Sequence, residues 1–327
     1  MADQQVVPDV PPASQAQPGA RVLAATQRVL ASRAFRWGFV AAAVGLGCFA
    51  VVSQWSGFHA ALDKIGLLAA VGALIAVTAA VFTTMQIWRA LLAGLGSPLP
   101  VSVAARIVFL GQLGKYLPGS VWPVLAQMEM ASTYKVPRHR SGTASVLTML
   151  VALLTGLVTA LVTLPFTGGS APYLWAFAAA PVLLACLHPK VLNALLEKLL
   201  RVARRPPPEH PLTTRALLTA LAWGFVNWIC FGLQIWLLID RLGVPAGHGI
   251  LLAVGGFAFA WSVGFIIVFA PAGAGAREVI LVALLSPALS PSGATAVALV
   301  SRVLTTASDL LTAALAAAFS RKAKTGS

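Results

Sequence analysis

Hydrophobic positions along this chain gather in long unbroken runs, not in the one-sided stripes of a soluble helix. Residues 37–55, 65–90, 142–166, 172–188, 216–239 and 294–319 carry almost no charge. Runs of this length span a hydrocarbon core as helices. Two further apolar stretches, 101–130 and 248–290, are interrupted by "LPG" at 117–119 and "FAPAGAG" at 269–275. Proline removes a backbone donor and clashes with the preceding turn, so a regular helix stops at such a point. The pattern predicts an all-α polytopic membrane protein with about six transmembrane helices and two broken apolar segments.

The polar positions between the runs set the threading. Arg21, Arg28, Arg33 and Arg36 precede the first run, and Lys135, Arg138 and Arg140 follow the first broken segment. Lys190, Lys198, Arg201, Arg204, Arg205 and Arg215 fill another connection, and Arg321, Lys322 and Lys324 close the chain. Short loops rich in Lys and Arg mark the cytoplasmic side. With both termini cytoplasmic, each broken segment must begin and end on one face. Each then reads as a re-entrant hairpin, the first entering from inside and the second from outside. The expected layout is a basic tail over 1–36, one membrane domain over 37–320 and a tail over 321–327. Within the domain, repeat halves cover about 37–166 and 172–319, separated by a basic cytoplasmic loop at 189–215. The predicted location is the cell membrane.

Composition changes this picture little. The chain is 58% hydrophobic and 10% charged over 327 residues, far too little charge to cover a soluble domain of this size. A formal charge of +14 would suit nucleic acid, but the basic residues sit at span ends, where they set topology. No nucleic-acid partner is expected. Cys48, Cys186 and Cys230 lie in apolar runs without metal-ligand spacing and read as free packing thiols. The first run starts late and lacks a small-residue cleavage site, so no cleavable signal peptide is expected. "VLNALLEKLLRVARR" in the long loop reads as a cationic helix lying on the membrane.

The halves resemble each other. "MQIWRALLAGLGSPLP" (85–100) precedes the first hairpin and "LQIWLLIDRLGVPAG" (233–247) the second. Both carry Gln-Ile-Trp, then Leu-Gly, then Pro two residues beyond the Gly. Each continues into an apolar arm, a Pro/Gly break and a Glu. Counted through the spans, the copies point in opposite directions, which predicts an inverted-topology repeat. Such repeats place a transporter's substrate site near the midplane, where broken helices meet.

Only nine acidic residues are present, so each can be weighed. Glu129, Glu278 and Asp309 alone fall within or beside membrane-depth segments. An ionised side chain there costs about 2.5–3.5 kcal/mol and usually faces a partner or a wet cavity. Arg106 and Lys115 on the first hairpin, Arg277 beside the second break and Arg302 on the last span are the available cations. Arg302 and Asp309 are seven residues apart, two helical turns, and so share a face. These charges either brace the hairpins as ion pairs or hold a charged headgroup, and one set can do both. Pro118, Gly119, Pro271, Gly273 and Gly275 form the breaks, whose exposed half-helix ends attract ions. Tyr116, Trp122 and Gln127 complete the polar and aromatic set near the first break, although interfacial anchoring also explains such aromatics. No P-loop, His-Glu-x-x-His or nucleophile elbow occurs. No catalytic residue, metal site or cofactor is predicted.

The two break motifs resemble those of the lysylphosphatidylglycerol synthase transmembrane family, the membrane half of the bacterial multiple peptide resistance factor. The likeness rests on "GKYLPGSVWPVLAQMEM" (114–130), "APAGAGAREVILVALL" (270–285) and "ATAVALVSRVLTTASDLL" (294–311). It spans about residues 37–320. The resemblance implies a flippase for a lipid made by a separate synthase domain. No such domain is expected within residues 1–327, so aminoacyl transfer is not implied. Lipid translocation is the leading expectation, with a membrane lipid as substrate. An intramembrane enzyme acting on a lipid headgroup is the alternative. So is a non-catalytic partner of a lipid- or envelope-synthesis enzyme. Oligomeric state is not specified by these residues.

Overall fold

The computed structural model describes residues 55–116, 121–167, 190–191, 194, 198, 212–266 and 275–325. Eight α-helices and two 3-10 turns make up the described elements. They are α1 (Trp55–Gly94), α2 (Val101–Gly111), a 3-10 turn (Gln112–Tyr116) and α3 (Trp122–Ser132). There follow α4 (Arg138–Thr163), a 3-10 turn (Leu164–Thr167), α5 (Thr214–Asp240), α6 (Ala246–Ile266), α7 (Ala276–Leu285) and α8 (Pro291–Thr325). The expected spans 65–90, 142–166, 216–239 and 294–319 correspond to α1, α4, α5 and α8. Those at 37–55 and 172–188 lie outside the described residues except for Trp55, as do the N-terminal tail and most of the 189–215 loop.

Five described helices are long and apolar enough to cross a membrane: α1, α4, α5, α6 and α8. The protein is a polytopic membrane protein. Its outer surface agrees, because Leu67, Leu68, Ile75, Val279 and Val303 are all more than 60% exposed. In water such an apolar surface would drive association; in lipid it is simply solvated. The fifth long helix, α6, is the first arm of the second broken segment. It runs 21 residues, whereas the matching arm α2 runs 11 before tightening into a 3-10 turn. α1 is not one straight rod. Gly66, at φ 64° and ψ 166°, separates its first turns from the long apolar run.

α1 and α5 form the central pair and lie antiparallel. Gly94 faces Ala216 and Leu212, while Gly72 faces Leu237. Both helices end on the same cap. Gly96 and Gly243 take φ 81° and 90°. Ser97 N–H returns to Leu92 O at 3.1 Å, and Val244 N–H to Ile239 O at 3.4 Å. These are Schellman-type ends, in which a left-handed Gly lets the chain turn back and satisfy open carbonyls. The Leu-Gly-x-Pro likeness seen in sequence is therefore a shared local structure.

Two hydrophobic cores stack along the helix pair. One joins the later half of α1 (Val81 to Leu95) to α2, the first half of α4 and the start of α5. The other joins the earlier half of α1 (Ile65 to Ala80) to α6, α7, the end of α5 and the start of α8. Polar contacts cross their junction and continue into the second core. Thr83 and Thr84 each donate to Asn227 Oδ1 at 2.9 Å, and Trp228 Nε1 donates to Thr155 Oγ1 at 3.0 Å. Gln234 Nε2 donates to Ser301 O at 3.1 Å, and the Thr78 and Ser308 hydroxyls meet at 3.1 Å. Without water in the hydrocarbon, these groups satisfy one another across helices.

Candidate ion-paired site at the two breaks

Five charged side chains of the apolar segments meet at α8. Arg302 and Asp309, two turns apart on that helix, each meet one broken segment. From the first, Lys115 Nζ approaches Asp309 Oδ2 at 2.6 Å, and Tyr116 OH donates to the same oxygen at 2.5 Å. The 3-10 tightening after Gly111 presents these neighbours together. From the second, Glu278 Oε1 takes Arg277 Nη2 at 3.0 Å and Arg302 Nη1 at 3.5 Å. Glu278 Oε2 accepts the Gly275 N–H at 2.7 Å.

Local sequence explains the second half of this arrangement. Gly275 takes φ 89° at the start of α7, a conformation costly for any residue with a Cβ. The turn leaves its N–H pointing forward, and a Glu three residues on reaches back to it, as in a capping box. Arg277 is buried at 6% exposure. Its guanidinium lies 5.4 Å from the centre of the Phe257 ring on α6, so a ring face and a carboxylate together replace its water. Phe257 gave no signal in the sequence, being one aromatic in an apolar arm.

Burial grades the cluster. Asp309 is fully buried and Glu278 16% exposed, whereas the side chains of Lys115 and Arg302 are 30% and 24% exposed. Asp309 Oδ1 makes no hydrogen bond among the described residues, nor does the buried Gln112 Nε2.

Of the sequence-predicted site residues, Lys115, Tyr116, Gly275, Arg277, Glu278, Arg302 and Asp309 are brought together. Gln127 and Glu129 have other partners. Gln127 is buried in a packing network, accepting from Ser145 Oγ at 2.5 Å while Trp88 Nε1 donates to that hydroxyl at 3.1 Å. Glu129 is 68% exposed and paired with Arg138 at 3.0 Å. The adjoining guanidinium holds its carboxyl below the usual carboxylate range. Trp122 is 45% exposed. Arg106 donates to Tyr134 OH at 3.0 Å. Pro118, Gly119, Pro271 and Gly273 lie outside the described residues.

A family model for the lysylphosphatidylglycerol synthase transmembrane region matches residues 37–313. The chain belongs to that family. The matched range contains every member of the ion-paired cluster and both arms of each broken segment. No curated protein matches this family member at significant similarity. The matched region is the membrane part of the synthase, in keeping with the apolar helices that fill the described chain.

Proposed function

We propose that this family member is a lipid translocator, carrying the headgroup of a phospholipid or polyprenyl-linked lipid across the bilayer between two re-entrant hairpins. The observation that carries the reading is the ionic cluster itself. Two broken segments meet one helix through five charged side chains, at the level where the two hydrophobic cores give way to polar contacts. Charges at that depth are expensive, and bracing alone would be served as well by apolar packing. Exchanging ion pairs for headgroup contacts gives a polar group a path while acyl chains stay in lipid.

An inverted repeat is supported by three features. α1 and α5 are antiparallel and share their terminal cap. α2 packs against α3 and α6 against α7, each pair beginning and ending at one end of the molecule. α4 and α8 run in opposite directions, since Ser145 lies by Trp88 while Ser301 and Ser308 lie by Gln234 and Thr78. Orientation follows from charge. The loop end of α1 gathers Arg89, Lys135, Arg138, Arg140 and Arg215, with Arg140 bonded to Gly96 O at 3.3 Å. The opposite end balances Lys64 and Arg241 against Asp63 and Asp240. On this reading the basic end faces the cytoplasm and α8 runs toward it, which supports the cytoplasmic termini expected from the charge pattern.

The test is headgroup translocation in proteoliposomes. Arg277→Ala/Glu278→Ala and, separately, Lys115→Gln should slow it at least tenfold. Unchanged rates in variants that elute and melt like the wild type would refute the proposal.

A further inference from the structure

The charge layout of the same cluster selects among lipids. Lys115, Arg277 and Arg302 face two carboxylates, Glu278 and Asp309, so the described cluster carries a net charge of +1. The chain between the hairpin arms, 117–120 and 267–274, adds no charged residue. The sides also differ. The cations Lys115 and Arg302 are the accessible members, at 30% and 24%, while Asp309 is fully buried behind its lysine. Glu278 is occupied on both oxygens, by the Gly275 N–H at one and by two guanidinium groups at the other. The Arg302 contact, at 3.5 Å, is the longest of the ion pairs here. α7 adds its N-terminal end, whose backbone dipoles favour negative charge.

Resting on the translocator reading, we infer that the site takes a singly charged phosphate-ester anion whose headgroup carries no compensating positive charge. Arg302 and Lys115 turn from their carboxylates to the phosphate oxygens. A headgroup ammonium reaches no exposed carboxylate: Asp309 is fully buried, its unbonded Oδ1 included, behind Lys115, and both Glu278 oxygens are already taken. A zwitterionic lipid therefore binds less well than an anionic one, and an aminoacylated lipid of net positive charge binds least.

The experiment measures lipids retained by the full-length protein, by native mass spectrometry after exposure to equimolar phosphatidylglycerol, phosphatidylethanolamine and lysylphosphatidylglycerol. Phosphatidylglycerol should be retained at least fivefold over either of the others. Arg302→Gln and Lys115→Gln should each remove that preference, Arg302→Lys should keep it, and Arg215→Gln at the basic end should leave it unchanged. An arm with inorganic phosphate separates lipid from free ion: no displacement supports a lipid headgroup, and full displacement supports a free phosphate at the same cations. Equal retention of the three lipids by the wild type would overturn the inference whatever the variants do. So would a preference for the aminoacylated lipid. Equal retention with headgroup movement intact would leave translocation standing. Selective retention with no movement of any lipid would remove translocation and leave the anion site.

Discussion

The two broken segments start from similar sequence and end with different jobs. In the first, the cation precedes the break: Lys115 lies on the 3-10 turn and the following acid, Glu129, ends on the exposed surface against Arg138. In the second, cation and acid are adjacent just beyond the break, with Arg277 buried and Glu278 folded back onto Gly275. Each broken segment thus meets α8 through one ion pair, the first at Asp309 and the second at Arg302. The two segments share the glycine-capped helix ends that precede them, and their chemistry differs beyond that point. The Gln-Ile-Trp motif makes the same point. Ile87 and Ile235 are both fully buried. Yet Trp88 bonds Ser145, whereas the buried Trp236 Nε1 has no hydrogen bond among the described residues.

The largest effect is expected at Asp309. Asp309→Ala leaves Lys115 without its counter-charge, and removing one partner of a buried pair costs about 3–5 kcal/mol. The loss should fall at the lower end because Lys115 is 30% exposed. Unfolding in detergent should show it, and Lys115→Ala/Asp309→Ala should lose less than the two single losses added together. Next comes Gly275→Ala, where φ 89° forces strain of about 1–3 kcal/mol. Translocation should fall with it, because Glu278 loses its backbone partner.

Smaller effects sharpen the comparison. Gly96→Ala and Gly243→Ala should each cost about 1–2 kcal/mol, as expected where a Cβ enters a left-handed cap. Near-equal losses in melting experiments would match the shared frame, and a large disparity would argue that the caps are not equivalent. Glu129→Gln should be the mildest change, with melting temperature and translocation both unaltered, since exposed pairs contribute little. Loss of translocation in Glu129→Gln would mean that both hairpins contribute an acid.

Much of this was legible in the linear chain because membrane helices obey strong local rules. A lipid solvent demands long apolar runs with internally satisfied backbone, so α1, α4, α5 and α8 stand out as uncharged stretches. Prolines and glycines marked the breaks, and scarcity of acids narrowed the site to three carboxylates. Glu129 shows the limit. At membrane depth it reads like Glu278, and only the direction of α3 and the position of Arg138 take it to the surface. Gln127 was legible as polar but not as a packing residue, since its partner Ser145 lies 18 positions away on another helix.

The sequence by itself determined the solvent, the main helices and the two breaks, because each depends on a residue's own hydropathy and backbone freedom. It also determined that Arg302 and Asp309 share a face, through helical periodicity. Tertiary structure alone decided which broken segment meets which of them and which acid is buried. It also decided that cations form the accessible side of the cluster. Those outcomes depend on contacts as far apart as Tyr116 and Asp309, separated by 193 positions, and no local preference encodes a pairing over that distance.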